Sequence, residues 1–174
     1  MRRLLLASLV LAACTDPAPP APADVAAGGG LALGADGLGA LGAATPFTAD
    51  AVRQALGDVS VESHDATGAL WALRDGLVLA EVYADPGGGI GRIEVTGDVP
   101  GPDSLVVGQP FSEAGLGGRA CAAGTGVAGG SAVCTADGVE LVFAHGWDGP
   151  AAELPPDSVL ADAFLTRMIW RADG

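Results

Sequence analysis

The sequence predicts an α+β domain, with antiparallel sheet and short helices arranged as two pseudo-repeated halves, each a helix followed by a meander. Three observations lead there. A Pro-Phe pair ahead of a helix-capping residue occurs twice, in "TPFTADAV" from Thr45 and in "QPFSEAGL" from Gln109. Two apolar runs joined by Asp-Gly also occur twice, in "ALWALRDGLVLAEVYAD" from Ala69 and "SAVCTADGVELVFAHGW" from Ser131. The two echoes keep nearly the same offset along the chain, which marks an internal repeat. The halves run from about residue 38 to 98 and from about 104 to 171, inside one domain spanning 31–174.

Each element has a local reason. Thr48 is a good N-cap, because its hydroxyl accepts a backbone N–H that the first helical turn leaves free. Phe47 before it finds an apolar partner in Val52, a hydrophobic staple. This helix is expected to end at Leu56, ahead of Gly57. Ser112 with Phe111 and Leu116 repeats the arrangement, giving a second helix cut short near Gly117. Asp75-Gly76 and Asp137-Gly138 signal two-residue hairpin turns. "GRIEVTG" around Ile93 and "LTRMIWR" around Ile169 each add a strand. In the first hairpin the alternate set Ala69, Trp71, Leu73, Val78, Ala80 and Val82 is apolar throughout and is expected to face the core. In the second, the corresponding set is Ala132, Cys134, Ala136, Val139, Leu141 and Phe143. These sets sit at opposite phases of the aligned repeats, so either two sheets present opposite faces or the alignment is one residue out.

Ahead of the domain, Arg2 and Arg3 precede an apolar run from Leu4 to Ala13. That is the layout of a secretory signal, and the run is about half the roughly 20 residues that a membrane-spanning helix needs. It closes in "LAAC", which resembles the lipobox of bacterial lipoproteins: the signal, residues 1–13, is removed and Cys14 becomes the lipidated first residue. Several acyl chains on one cysteine give stable anchoring where a single chain gives only marginal binding. Thr15 after the cysteine favours the outer membrane by resemblance to Gram-negative sorting rules. The linker 14–30 contains Pro17, Pro19, Pro20 and Pro22; proline-rich chain is extended at about 3.1 Å per residue, so it reaches up to roughly 50 Å from the lipid surface.

The other two cysteines, Cys121 and Cys134, flank "AAGTGVAGGSAV". A hairpin turning at Val127 and Ala128 would set them opposite each other, near the spacing a disulfide requires. An oxidising compartment favours that bond; two reduced, buried thiols are the alternative.

The chain carries 21 acidic against eight basic residues, all eight of them Arg, for a net charge of −13. Such a surface repels nucleic acid and anionic lipid, so no nucleic-acid partner is expected. The absence of Lys removes Schiff-base chemistry and the phosphate-loop lysine, and "GGGIG" from Gly87 reads as a turn. Neither histidine, His64 beside Asp65 or His145 ahead of Asp148, sits in a pattern that asks for catalysis or a metal. "GGSAV" around Ser131 lacks the second glycine of a nucleophile elbow. No catalytic residue, metal or cofactor is expected. The segment from His145 to Arg171 inserts a Gly- and Pro-rich loop and a short helix capped by Asp157 between two strands. Long loops in compact domains are often functional, so Trp147, Asp148, Gly149 and Pro150 form a candidate contact loop. The other reading of Trp147 is an indole folded back over the sheet edge.

"WDGPAAELPPDSVL" followed by "MIWR", with "TPF", "VVGQPF" and the Cys121 and Cys134 pair, resembles a family of small bacterial lipoproteins of unknown function. Its best-known members are regulated by the envelope-stress sigma factor RpoE. The resemblance covers about Asp36 to Arg171 and implies a cell-envelope location without supplying an activity. The expected protein is therefore a non-enzymatic lipoprotein held to the outer membrane by its lipid anchor, facing the periplasm and binding an unidentified protein or envelope component. A small cell-wall hydrolase and a passive, stress-induced structural lipoprotein are the alternatives.

Overall fold

The structure, a computed structural model, describes residues 30–116 and 121–172. Cys14, the signal and the linker up to residue 29 lie outside the described residues. A short ribbon, β1 (Leu33–Gly34) and β2 (Gly37–Leu38), leads to helix α1 (Ala49–Leu56). Strands β3 (Ser60–His64), β4 (Ala69–Arg74), β5 (Leu77–Ala84) and β6 (Ile90–Val95) form one meander. Strands β7 (Cys121–Ala123), β8 (Ser131–Ala136), β9 (Val139–Ala144) and β10 (Phe164–Arg171) form a second, with the one-turn helix α2 (Asp157–Leu160) between β9 and β10. The two meanders join through their last strands, giving one eight-stranded antiparallel sheet in the order β3-β4-β5-β6-β10-β9-β8-β7.

This corrects the predicted class. The fold is predominantly antiparallel β, not α+β, and its halves are not each led by a helix. In the first half α1 forms as expected: Thr48 accepts from the Ala51 N–H at 3.2 Å, Gly57 ends the helix at φ +75°, and Val52 and Leu56 are buried. In the second half the same Pro-Phe signal yields a single 3-10 turn, Phe111–Glu113, with no side-chain cap. Gly115 at φ +64° turns the chain before a second helical turn can form. Helix nucleation is unfavourable unless several turns follow. Asp157 likewise starts α2 without capping it; Pro156 occupies the cap position.

The two hairpins share one core face. Asp75-Gly76 and Asp137-Gly138 take positive φ, as two-residue turns of the primed type require. In the second hairpin Ala136 faces Val139, Cys134 faces Leu141 and Ala132 faces Phe143, and all six are core residues as expected. In the first, a register shift falls between Ala72 and Leu73, so Ala72 pairs with Ala80 and Leu70 with Val82. A bulge reverses the alternation beyond it. The expected set is therefore split: Ala80 and Val82 enter the core with Leu70 and Ala72, while Trp71 points to the other face. Neither of the two explanations for the phase mismatch is needed in its original form. There is one sheet, and a local bulge restores the common face.

The core face continues through Ile93 and Val95 on β6 and Met168 and Trp170 on β10. Segments outside the sheet fill it: Leu33, Leu38 and Leu41 from the ribbon region, Val52 and Leu56 from α1, and Leu105 and Leu116 from the connection between the halves. The Trp170 indole N–H donates to the Ala35 carbonyl at 2.7 Å and ties the ribbon across the central strands.

Candidate functional site

Since both hairpins and both central strands turn their apolar set inward, the alternate set defines a second, polar face. Register pairing aligns Glu62, Trp71, Glu81 and Glu94 across β3 to β6, and Ile169, Glu140 and Thr135 continue the row on β10, β9 and β8. In the next row Tyr83 faces Arg92, and Arg92 faces Arg171. Arg167, two residues before Ile169 on β10, lies on the other side of the acidic row. Three arginines thus lie against a line of carboxylates in a chain that is strongly acidic overall.

Glu94 is the centre of this array. It is the buried charged residue among the described residues, 7% exposed. Arg92 Nε lies 3.1 Å from one carboxylate oxygen and an Arg167 nitrogen 3.4 Å from the other. Burying a carboxylate is unfavourable unless it is paired, and here the central strands of two different meanders supply the partners. The Arg92 contact is an ion pair without a hydrogen bond, so the buried Nε–H lacks an acceptor, as does the indole N–H of Trp71. The Trp71 ring stacks on His64 at 4.1 Å.

Arg92 also lies over the Tyr83 ring, 3.9 Å from its centroid, and the Tyr83 hydroxyl donates to Glu81 at 2.6 Å. Burial pushes the Tyr83 phenol up to about 12, and the hydrogen bond to Glu81 together with the Glu81 and Glu94 charges adds to the rise. Arg171 makes a two-pronged bond to Glu140, 3.0 Å from Nε and 3.2 Å from Nη2. That bond raises its guanidinium above the ordinary arginine value, against desolvation, which lowers it.

Tyr83 is the one tyrosine in the chain, so tyrosinate absorbance reports this site alone. The native protein is expected to titrate at about 12 and the urea-unfolded chain near 10, the ordinary phenol value. Because the folded pKa is the higher, the stabilisation is complete below pH ~10 and disappears as pH rises toward ~12. Coincident native and unfolded titrations would show that Tyr83 is neither buried nor bonded to Glu81.

Two cavities flank Arg171 on the polar face. One, about 590 Å³, is bordered by Tyr83, Asp85, Gly87, Arg92 and Arg171. The other, about 340 Å³, is bordered by Arg171, Glu140, Ile169, Val133 and the β7 segment Ala122–Thr125. The turn Gly126–Ala128 helps close the second by packing Ala128 on Val142 and Ile169.

The residues singled out from the sequence fall elsewhere. Cys121 and Cys134 face each other across β7 and β8 and form a disulfide. Trp147 and Gly149 are half-buried, Asp148 and Pro150 exposed. The Trp147 indole lies against the Gly149 Cα, leaving no room for a side chain there, and the Trp147 N–H donates to His145 Nδ1 at 3.3 Å. The loop follows β9 at Ala144, beside Phe164, which starts β10 and is 53% exposed. The loop and the Arg171 cavities are therefore at opposite ends of β10, about 20 Å apart at the usual strand rise. His64 contacts Thr67 and Trp71 rather than a carboxylate. Among the described residues no group of three or more His, Cys, Asp or Glu is placed to hold a metal. Sequence reading missed the polar face: Arg92 and Glu94 on β6, and Arg167 and Arg171 on β10, alternate with apolar residues in the sequence, but it is the pairing of β6 with β10 that brings them together.

Fold and site together define a class: an antiparallel β domain with one filled sheet face and an ordered ion-pair array on the other. The chain belongs to the family described as protein of unknown function (DUF1131), whose model matches residues 22–172. It is 30% identical over 148 residues to the uncharacterized protein YfeY of Escherichia coli K12, covering 78% of this chain and 76% of that relative. It is also similar to the crystal structure of the uncharacterized protein yfeY from Escherichia coli, with a TM-score of 0.61 and 26% identity, over 82% of this chain and 99% of that one.

Proposed function

We propose that this protein is a cell-envelope lipoprotein, anchored through Cys14 in the outer membrane and facing the periplasm, whose domain acts by binding a protein or another envelope component. The observation that carries the binding reading is the polar face. Its side chains are fixed by ion pairs at 3.0 to 3.4 Å, and preorganised groups cost less to immobilise when a partner arrives. The loop Trp147–Pro150 is a second contact element at the far end of β10, next to the exposed Phe164. The anchor rests on the "LAAC" segment and the proline-rich tether. Control by an envelope-stress sigma factor, the property of the family it resembles, belongs to the same proposal.

The intact mass of protein extracted from membranes, with and without reduction and alkylation, tests the anchor. The expected species lacks residues 1–13, carries acyl chains on Cys14, and takes up two alkyl groups on reduction alone. An unlipidated mass would remove the envelope assignment. Photo-crosslinkers at Glu62 on the polar face and at Asp148 in the loop test the contact surfaces; both are exposed. Capture of a discrete species from at least one position in cells is expected, and none from either would reject the binding reading.

A further inference from the structure

We infer that the two cavities beside Arg171 form one binding site for the C-terminal carboxylate of a peptide ending in a small apolar residue. The inference rests on the polar face being the contact surface and is independent of the lipid anchor.

The argument begins with Arg92 and Arg171. They are direct cross-strand partners on β6 and β10, and like charges placed opposite each other are destabilising. Each is paired with a carboxylate, Glu94 for Arg92 and Glu140 for Arg171, and the Glu94 charge also acts on Arg171. Both border the cavity of about 590 Å³, within the range of small-ligand sites; Asp85 also borders it, with one carboxylate oxygen engaged by the Gly89 N–H at 2.9 Å. Arg92 is fixed there by the Tyr83 ring rather than by a well-directed bond. An anion in this cavity would meet planar donors suited to a carboxylate from two strands at once.

The second cavity narrows the ligand. Arg171 borders both cavities, so a ligand that fills both passes its guanidinium. Its walls combine apolar side chains, Ala128, Val133 and Ile169, with the hydroxyls of Thr125 and Thr135, and Glu140 is a charged acceptor at the border. A peptide terminus meets all three demands: the carboxylate for the arginines, a short side chain for the apolar pocket, and an amide N–H for Glu140. A fatty acid lacks the amide, and inorganic phosphate lacks both amide and side chain.

Titration calorimetry of the full-length protein with N-acetyl-alanyl-alanine tests the site, alongside its C-terminal amide, inorganic phosphate and octanoate. The free acid is expected to bind, and the amide at least tenfold more weakly. Arg171→Gln should lose at least tenfold, while Arg53→Gln should be silent, since Arg53 is exposed on α1 and paired with Asp50. Unchanged Tyr83 titration in the Arg171 variant would separate lost recognition from a lost fold. Using the L,L and D,D dipeptides distinguishes the two sources of such a terminus, a protein chain or a cell-wall stem peptide; preference for either supports the site. Equal binding of acid and amide, binding of phosphate or octanoate as strong as the dipeptide, or no binding of the acid would overturn it. If the acid fails while crosslinks from Glu62 persist, the polar face remains a contact surface and this ligand is wrong.

Discussion

Phe143→Ala is expected to cost about 3–5 kcal/mol of unfolding free energy, the range for emptying a fully buried aromatic site. Phe143 has no exposed surface. It lies on β9 between Ala132 of β8 and Leu165 of β10, where the second meander meets the segment that joins the halves. Phe111 meets it edge to face, with ring centroids 5.1 Å apart and planes at 79°. That geometry adds to burial for aromatic pairs. The neighbours cannot collapse into the gap, because Ala132 is small and the strands on either side fix the backbone spacing. Phe111 is half-buried, so Phe111→Ala should lose less than half as much. Urea unfolding of both variants checks the ranking. A loss below about 1 kcal/mol for Phe143→Ala would mean that the site relaxes, and that the second meander is not organised around this ring.

The Phe111–Phe143 contact also shows what the sequence can and cannot disclose. In the sequence, Phe111 reads as a helix staple with Leu116 as its partner. Both residues do pack in the core region, but the helix is one 3-10 turn, because Gly115 intervenes. Local signals told where the chain turns and which residues are apolar enough to bury. They did not tell how far a helix would propagate. The hairpins show the same division. Asp-Gly placed both turns, and strict alternation gave the core face of the second hairpin. The first contains a register shift between Ala72 and Leu73 that no turn residue announces, and of its six expected residues Ala80 and Val82 alone join the core cluster.

The site was less legible still, for a reason of chain separation. Arg92 and Arg171 become neighbours only because β6 pairs with β10, a contact between the last strands of two meanders that nothing local encodes. Loop composition points to Trp147 instead, and each charged strand residue, taken alone, reads as solvated surface. Polar residues in alternate positions of a strand are the expected pattern for a solvated face. What distinguishes these is that carboxylate and guanidinium recur in adjacent rows, which only the register reveals.

Reduction of Cys121–Cys134 is expected to lower stability by roughly 3 kcal/mol, the chain-entropy value for a loop of this length, given the separation of 13 residues. The damage should be local in its first stage. β7 pairs with β8 over three residues, and a strand this short at a sheet edge is weakly held without its crosslink. Reduced protein should lose amide hydrogen-exchange protection in β7 and in the turn Gly126–Ala128, while β5, β6 and β10 keep theirs. Equal loss in the central strands would show that the bond holds the whole sheet; unchanged protection in β7 would show that pairing alone suffices. The consequence for recognition follows from which walls move. Arg92 and Arg171 stand on the central strands, whereas Ala122 to Thr125 and Ala128 close the apolar cavity. Reduction should therefore spare the arginine pair and open the pocket beside it. Affinity for a carboxylate would persist in weakened form, and the preference for an apolar terminal side chain would disappear.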